Sequence, residues 1–133
     1  MMRKTLLTGK NILVVDDEEL LCEVFKEMFE YHGASVKTSN SGSAAFELLK
    51  KEKFDIVVSD VRMPKGDGMT LVRQISAELP YKPYVFLCTG FSDVSLDDAK
   101  KLGVLEIFSK PFSEAEILAR IEKSLVSQSH EAA

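Results

Sequence analysis

Acidic side chains stand at two places where an apolar stretch of the sequence ends. Residues 11–15 are followed by Asp16 and Asp17, and residues 56–59 are followed by Asp60. Carboxylates that share a site repel one another, so a proton or a cation must neutralise part of their charge. Oxygen ligands without His or Cys suit a hard ion. The acids therefore predict a Mg²⁺ site, provided that the fold brings the two stretches together.

A hydroxyl group and a lysine follow two further predicted strands, the second of them marked by Leu105, Ile107 and Phe108. Thr89 follows residues 84–88, and Lys110 follows residues 105–109. Positive charge and a hydroxyl donor around a carboxylate are suitable parts for phosphoryl transfer, in which catalysis is mostly positioning and charge neutralisation. The carboxylate can itself be the nucleophile, which gives an aspartyl phosphate.

The apolar stretches are of the kind found in strands that are buried on both faces of a parallel sheet. The sequence predicts strands over residues 11–15, 34–39, 56–60, 84–88 and 105–109. Apolar residues at helical spacing predict a helix after each strand. The first helix covers about residues 18–32 and ends at Gly33, the third runs to about Leu79, and the fourth covers residues 95–102.

The helical spacing also predicts which side chains face the core. These are Leu21, Val24, Phe25, Met28, Phe29, Ala44, Ala45, Leu48, Leu49, Met69, Leu71, Val72, Ile75, Ile117, Leu118, Ile121 and Leu125. Strand and helix alternate five times, which predicts an α/β fold with right-handed crossovers and helices on both faces of the sheet. Ligands of such folds bind beyond the carboxyl ends of the strands, where the acids, Thr89 and Lys110 are predicted to lie.

The length of 133 residues predicts one domain. We expect an N-terminal extension over residues 1–9, the domain over 10–126, and a short frayed tail over 127–133. The net charge of −4 argues against nucleic-acid binding. No apolar stretch approaches the length of a membrane span or of a signal peptide core.

The cysteines and histidines do not form a recognisable metal or disulfide pattern. Cys22 and Cys88 are too few and too far apart, and we expect both to be reduced and buried, as in the cytoplasm. His32 and His130 lie far in sequence from the strand ends, which disfavours a zinc site.

The ordered set of motifs resembles the receiver domain of two-component response regulators over about residues 10–126. The matching features are Asp16-Asp17, Asp60 with Met63-Pro64, Asp67-Gly68, Thr89-Gly90 and Lys110-Pro111-Phe112. Each feature alone is weak, but their order on five alternating units is specific. The resemblance implies a flavodoxin-like, five-stranded parallel sheet of order 2-1-3-4-5.

The resemblance also implies roles for individual residues. Asp60 is the expected phosphoacceptor, and Mg²⁺ is expected on Asp17, Asp60 and the backbone carbonyl of Arg62, with Asp16 assisting directly or through water. Thr89 is expected to hydrogen-bond the phosphoryl group. Lys110 is expected to pair with that group and to precede a cis peptide bond.

The partners implied are a histidine kinase or a histidine phosphotransfer protein as phosphodonor, and an unidentified downstream protein that binds the face formed by helix four, strand five and helix five. A phosphorylation-dependent dimer is a further expectation. The chain would be a signalling module that promotes its own phosphorylation and dephosphorylation, and not an enzyme. One departure is Ile107. The family often has Tyr or Phe at this position, with a ring that swings inward when the residue at the place of Thr89 moves toward the phosphoryl group, and this chain has no ring there.

Three other functions are weighed against this one. A small phosphohydrolase with an aspartyl nucleophile usually has a second acid two residues later, where this chain has Arg62. A flavin or nucleotide carrier needs a Gly-, Ser- or Thr-rich loop after the first strand, where this chain has four acids. A receiver that no longer accepts phosphate ranks low, because every implied site residue is present. We also expect Arg62 and Phe91 to control access of water.

Overall fold

The computed structural model describes residues 5–63, 67–90 and 95–132. Within these residues, five parallel strands form one sheet in the order β2-β1-β3-β4-β5. The strands are β1 (Asn11–Val15), β2 (Ser35–Ser39), β3 (Ile56–Asp60), β4 (Tyr84–Thr89) and β5 (Val104–Ser109). The predicted fold class and strand order are confirmed.

One helix follows each strand. The helices are α1 (Glu19–Tyr31), α2 (Gly42–Lys51), α3 (Gly68–Glu78), α4 (Leu96–Lys101) and α5 (Glu114–Ala132). Several begin at a side chain that accepts a hydrogen bond from the first turn: Ser41 from the Ala44 N–H, Asp67 from the Thr70 N–H, and Ser113 from the Glu116 N–H. Such caps satisfy backbone donors that have no partner inside the helix.

The core lies in two layers, because successive strand residues point to opposite faces of the sheet. Val14 and Val58 belong to the layer beneath α1 and α5, whereas Val15 and Val57 belong to the layer beneath α2, α3 and α4. Strands buried on both faces explain why the sequence shows continuous apolar stretches and not alternation.

Helix α1 buries a somewhat different face from the one that was predicted. Cys22 is buried, while Val24 is 45% exposed and the prediction for it is wrong. Val24 lies five residues before the buried Phe29, which is about 140° around the helix. Apolar character alone did not determine the phase of this helix.

The same correction applies to α2. Phe46 is buried with Ala45 and Leu49, but Ala44 is exposed. Ala44 lies two residues from both Gly42 and Phe46, so it points to the opposite side of the helix. The small size of alanine makes its exposure energetically neutral, which is why its apolar character was a poor guide.

The described residues on either side of the predicted domain are 5–9 and 127–132. The side chain of Leu7 is fully buried within the layer beneath α1 and α5. The Thr8 hydroxyl donates to the carbonyl of His32, and the Gly9 N–H donates to the carbonyl of Gly33. Helix α5 continues to Ala132, through the segment where fraying was expected. The division at residues 9 and 126 stays a prediction.

Candidate functional site

The carboxyl ends of four neighbouring strands bring the predicted site residues to one edge. Val15 pairs with Ser59, so Asp16 and Asp60 follow at the same level. Asp60 in turn pairs with Cys88, directly before Thr89. Thr89 pairs with Ser109, and the backbone N–H of Lys110 donates to the carbonyl of Thr89 at 2.8 Å. Register, and not sequence proximity, therefore assembles the site.

Three carboxylates of this edge could share one metal ion. Each of Asp16, Asp17 and Asp60 offers an oxygen within 4.8 Å of the oxygens of the other two. Asp16 is buried, Asp17 is exposed and Asp60 is half-buried, so the cluster spans the boundary between core and solvent. An all-oxygen set that is open to water on one side fits Mg²⁺, which keeps several water ligands.

Both the side chain and the main chain of Asp16 accept hydrogen bonds from neighbouring residues. The Glu18 N–H donates to its carboxylate at 2.9 Å, and the Cys22 thiol donates to its carbonyl at 3.3 Å. Burial raises the pKa of Asp16 to about 6, although the bond from Glu18 opposes this rise, and the nearby Asp60 adds to it. A bound cation would relieve this electrostatic strain.

Lys110 lies against the predicted phosphoacceptor. Its Nζ is 3.3 Å from Oδ1 of Asp60, and both side chains are largely shielded from solvent. Burial raises the pKa of Asp60 above the ordinary carboxyl value, and the charge of Lys110 only partly offsets this. Burial lowers the pKa of Lys110, but Asp60 and Asp16 outweigh that effect and the pKa lies above its ordinary value. Lys110 therefore stays charged beside the carboxylate.

Of the remaining predicted residues, Thr89, Arg62 and the Lys110–Pro111 bond are described. Thr89 is buried at the end of β4, and the Lys110–Pro111 bond is cis, as predicted. Arg62 is exposed two residues beyond Asp60, so no carboxyl group stands at that position. Phe91, which was expected at the rim, lies outside the described residues, as does Pro64.

Ile107 and Phe108 point to opposite faces of the sheet. Phe108 packs in the layer beneath α1 and α5, where its ring stacks on Phe86 with the centroids 6.0 Å apart. Ile107 packs against the other layer. The ring of Phe108 therefore does not lie on the side of the sheet to which Ile107 points.

Two contacts at Asp60 were not foreseen from the sequence. The Ser59 hydroxyl donates to the carbonyl of Asp60 at 2.9 Å, and a Cβ atom added at Gly68 would lie 2.5 Å from the same oxygen. The only signal in the sequence was a polar residue within the apolar stretch before Asp60. Gly68 was noted as part of a motif, but its close approach to β3 depends on packing that a pattern does not show.

The cysteines agree with the sequence reading, because Cys22 and Cys88 are both free and buried. Burial raises the pKa of the Cys88 thiol to about 12 and that of Cys22 to about 11, so both thiols stay protonated.

In the part of the chain that the structure describes, no helix combines the length and the apolar character that crossing a bilayer requires.

Comparison with protein families matches residues 12–122 to the response regulator receiver domain. Among curated proteins, the chain is 35% identical over 116 residues to the transcriptional regulatory protein ZraR of Escherichia coli, and 32% identical over 115 residues to the response regulator SaeR of Staphylococcus aureus. Each match covers 86% of this chain, but only 26% of ZraR and 50% of SaeR. The chain thus spans half or less of these relatives.

Solved structures support the same assignment. The non-phosphorylated HemR receiver domain of Leptospira biflexa superposes with a TM-score of 0.76 at 30% identity, and covers 87% of this chain and 94% of that one. The response regulator TrrA of Thermotoga maritima, solved in complex with Mg²⁺ and BeF, has a TM-score of 0.77 at 27% identity over 86% of this chain and 98% of its own.

Proposed function

Because this chain belongs to the response regulator receiver family of two-component systems, we propose that Asp60 is its phosphoacceptor. The observation that carries the proposal is the contact of 3.3 Å between Lys110 and Asp60 at an edge that also holds Asp16 and Asp17. These groups come from three different strand ends, and ionisable groups that meet at one sheet edge with raised pKa values are typical of a functional site.

The proposed step is an in-line displacement at phosphorus. A carboxylate oxygen of Asp60 bonds to the phosphorus of phosphohistidine while the bond from phosphorus to the imidazole nitrogen breaks, and the nitrogen keeps the electron pair. Lys110 stabilises the charge on the phosphoryl oxygens, and the Thr89 hydroxyl donates a hydrogen bond to one of them. Later attack by water on the phosphorus returns the carboxylate and releases phosphate.

Mg²⁺ would be held by Asp17 and Asp60, by the carbonyl of Arg62, and by Asp16 directly or through water. The oxygen-only donor set and its spacing of 4.8 Å or less support this assignment. When bound, Mg²⁺ supplies positive charge beside the phosphoryl oxygens. The phosphodonor would be a histidine kinase or a histidine phosphotransfer protein.

Output would pass through the face formed by α4, β5 and α5, either to a downstream protein or to a second copy. On this face Arg120 pairs with Glu106 at 2.8 Å and lies over the ring of Phe108, 4.9 Å from its centroid. Phe108 precedes Lys110 by two residues. A movement of Lys110 toward a phosphoryl group would therefore be transmitted along β5 to Phe108 and to the side chain of Arg120 that lies over its ring.

Acetyl phosphate tests the proposal without a kinase. We expect the wild-type chain to gain one phosphoryl group by intact mass in the presence of Mg²⁺, and the Asp60→Asn variant to gain none. Asp55→Asn is the matched control, because Asp55 lies directly before β3, at the end away from Asp60, and accepts a hydrogen bond from the Asn11 N–H. Labelling of Asp60→Asn at the wild-type rate would refute the assignment.

The same preparations separate this function from that of a small phosphohydrolase. Such an enzyme turns over a free phosphomonoester many times. The absence of a carboxyl group at Arg62 disfavours it, so we expect no turnover of p-nitrophenyl phosphate above that of the Asp60→Asn variant.

A further inference from the structure

We propose that Ser59 is a positioning residue of the phosphoacceptor site. Its hydroxyl holds the peptide group that follows Asp60, and in this way sets the direction of the Asp60 carboxylate and of the loop that begins after it. This inference rests on the proposed function, in which Asp60 takes the phosphoryl group.

The hydrogen bond of Ser59 lies where the pairing between β1 and β3 has ended. The last pair on that side joins Val15 to Ser59, so Asp60 is one residue beyond it. Ser59 is 1% exposed, and its Oγ donates to the carbonyl oxygen of Asp60 at 2.9 Å. The hydroxyl thus supplies a bond to this carbonyl from within the core, at the point where the strand leaves its neighbour.

The other end of the same peptide group is also bonded. The Val61 N–H donates to the carbonyl of Cys88 at 3.0 Å. The carbonyl of Asp60 and the N–H of Val61 belong to one planar unit. Rotation of that plane would break both bonds, so together they fix the backbone at Asp60.

The start of α3 closes the third side of this peptide group. A Cβ atom at Gly68 would lie 2.5 Å from the carbonyl oxygen of Asp60 and 3.1 Å from the Cα of Val61. The Gly68 N–H donates to the carbonyl of Val61 at 2.8 Å. The helix therefore packs directly on the peptide group that Ser59 holds. The Ser59 hydroxyl and the backbone of Gly68 restrain the same atom, the carbonyl oxygen of Asp60.

Restraint of this backbone matters because the carboxylates beyond it repel one another. Without an ion, the charges of Asp16 and Asp17 push against Asp60. A group that keeps the backbone in place holds the oxygens at a spacing that one ion can bridge. Loss of a hydrogen bond to a metal-ligating side chain typically weakens metal binding about 10–100-fold, and we expect the lower end of this range here because Ser59 bonds the main chain of Asp60 and not its carboxylate.

The test compares Mg²⁺ binding and phosphorylation of Ser59→Ala with those of the wild-type chain. We expect calorimetry to give a Mg²⁺ Kd that is about 10-fold higher for the variant. At saturating Mg²⁺ and acetyl phosphate the labelling rate should fall several-fold, while the KM for acetyl phosphate changes little, because Ser59 does not face the phosphodonor.

Ser39→Ala is the matched control. Ser39 is also a buried serine at the end of a strand, but its hydroxyl donates to the carbonyl of Ser41 at 3.2 Å and not to the main chain of a proposed metal ligand. Its own carbonyl accepts the Asp16 N–H at 3.0 Å, a main-chain bond that alanine retains. We expect this variant to keep the wild-type Mg²⁺ Kd. Urea unfolding of both variants shows whether any difference in Mg²⁺ binding follows merely from lost stability.

Ser59→Thr retains the hydroxyl and should bind Mg²⁺ as the wild type does. If Ser59→Ala does not fold, Ser59→Cys decides, since it keeps a similar volume and only a weak donor; its Mg²⁺ Kd should rise. Two results would overturn the inference. The first is a Mg²⁺ affinity that is unchanged in Ser59→Ala or Ser59→Cys, and the second is an equal loss of Mg²⁺ affinity in Ser59→Thr and Ser59→Ala. A wild-type chain that acetyl phosphate does not label would refute the proposed function instead, and the Mg²⁺ titrations would still decide the role of Ser59.

Discussion

Asp16 is the most buried of the three acids at the carboxyl edge of the sheet, and its charge is the one that burial disfavours most clearly. Asp16 is 2% exposed and its pKa is raised to about 6, whereas the neighbouring Asp17 is exposed. Adjacent acids in the sequence thus have different environments, because successive residues beyond a strand point in different directions. The pair could be identified from the sequence, but not which of its members is buried.

The raised pKa predicts how stability depends on pH when divalent ions are removed. The folded chain binds the proton of Asp16 more tightly than the unfolded chain does, so this stabilisation is complete below the ordinary value of 3.8 and is lost as the pH rises through about 6. We expect the free energy of unfolding in EDTA to fall by on the order of 1–3 kcal/mol over this range. Urea titrations at several pH values measure it.

Asp16→Asn carries no charge at this position and should lose much of that pH dependence, whereas Asp17→Asn, changed at the exposed neighbour, should retain it. Added Mg²⁺ should stabilise the wild-type chain more near pH 7 than near pH 5, because at low pH the ion must displace a proton. A wild-type curve that rises with pH in EDTA through this range would contradict the assignment.

Among the secondary structure elements, the start of α3 approaches the end of β3 closely, which no sequence pattern could reveal. Gly68 is the first residue of α3, and the absence of its Cβ lets the helix approach the carbonyl of Asp60. Helix phase is similarly a matter of packing: Val24 on α1 and Ala44 on α2 are apolar and yet exposed. The existence of each helix followed from spacing, but its contact face depended on the neighbouring elements.

Gly68→Ala should destabilise the chain by about 1–3 kcal/mol, because the added Cβ would lie 2.5 Å from a backbone oxygen and the helix would have to shift. The shift would also move Asp60, so Mg²⁺ affinity should fall as well. Gly90→Ala is the matched control, since a Cβ there meets no atom of the described residues within 4 Å. Equal urea midpoints for the two variants would contradict this explanation.

At the scale of the whole molecule, the segment before β1 contributes a side chain to the core, which its sequence alone did not predict. Leu7 is fully buried in the layer beneath α1 and α5, while its neighbour Leu6 is 45% exposed. A single apolar pair without periodicity carries no information about which member packs inward. Which of the two leucines is buried depends on how the segment packs between the C-terminal end of α1 and the start of β1.

Leu7→Ala should therefore lower the free energy of unfolding by about 2–4 kcal/mol, through lost burial and the cavity that remains. Leu6→Ala removes the same atoms from an exposed position and should change it by less than about 0.5 kcal/mol. Urea unfolding of the two variants measures the difference. Similar losses in both would show that the segment does not pack as described.

The sequence by itself determined the class of the fold, the order of its elements and the residues that could do chemistry. Strands buried on both faces must be continuously apolar, and a polar residue at the end of such a strand is conspicuous. Asp16, Asp17, Asp60 and Thr89 could be identified in this way, and Lys110 by its place after the predicted fifth strand. The resemblance to receiver domains supplied the strand order.

The tertiary structure alone decided how those residues are held. The bond from Ser59 to the carbonyl of Asp60, the approach of Gly68 to that oxygen and the 3.3 Å contact of Lys110 join residues through strand register and helix packing. The physical reason is that such contacts are fixed by the sum of many weak interactions across the core, whereas a local pattern records only the periodicity of one element.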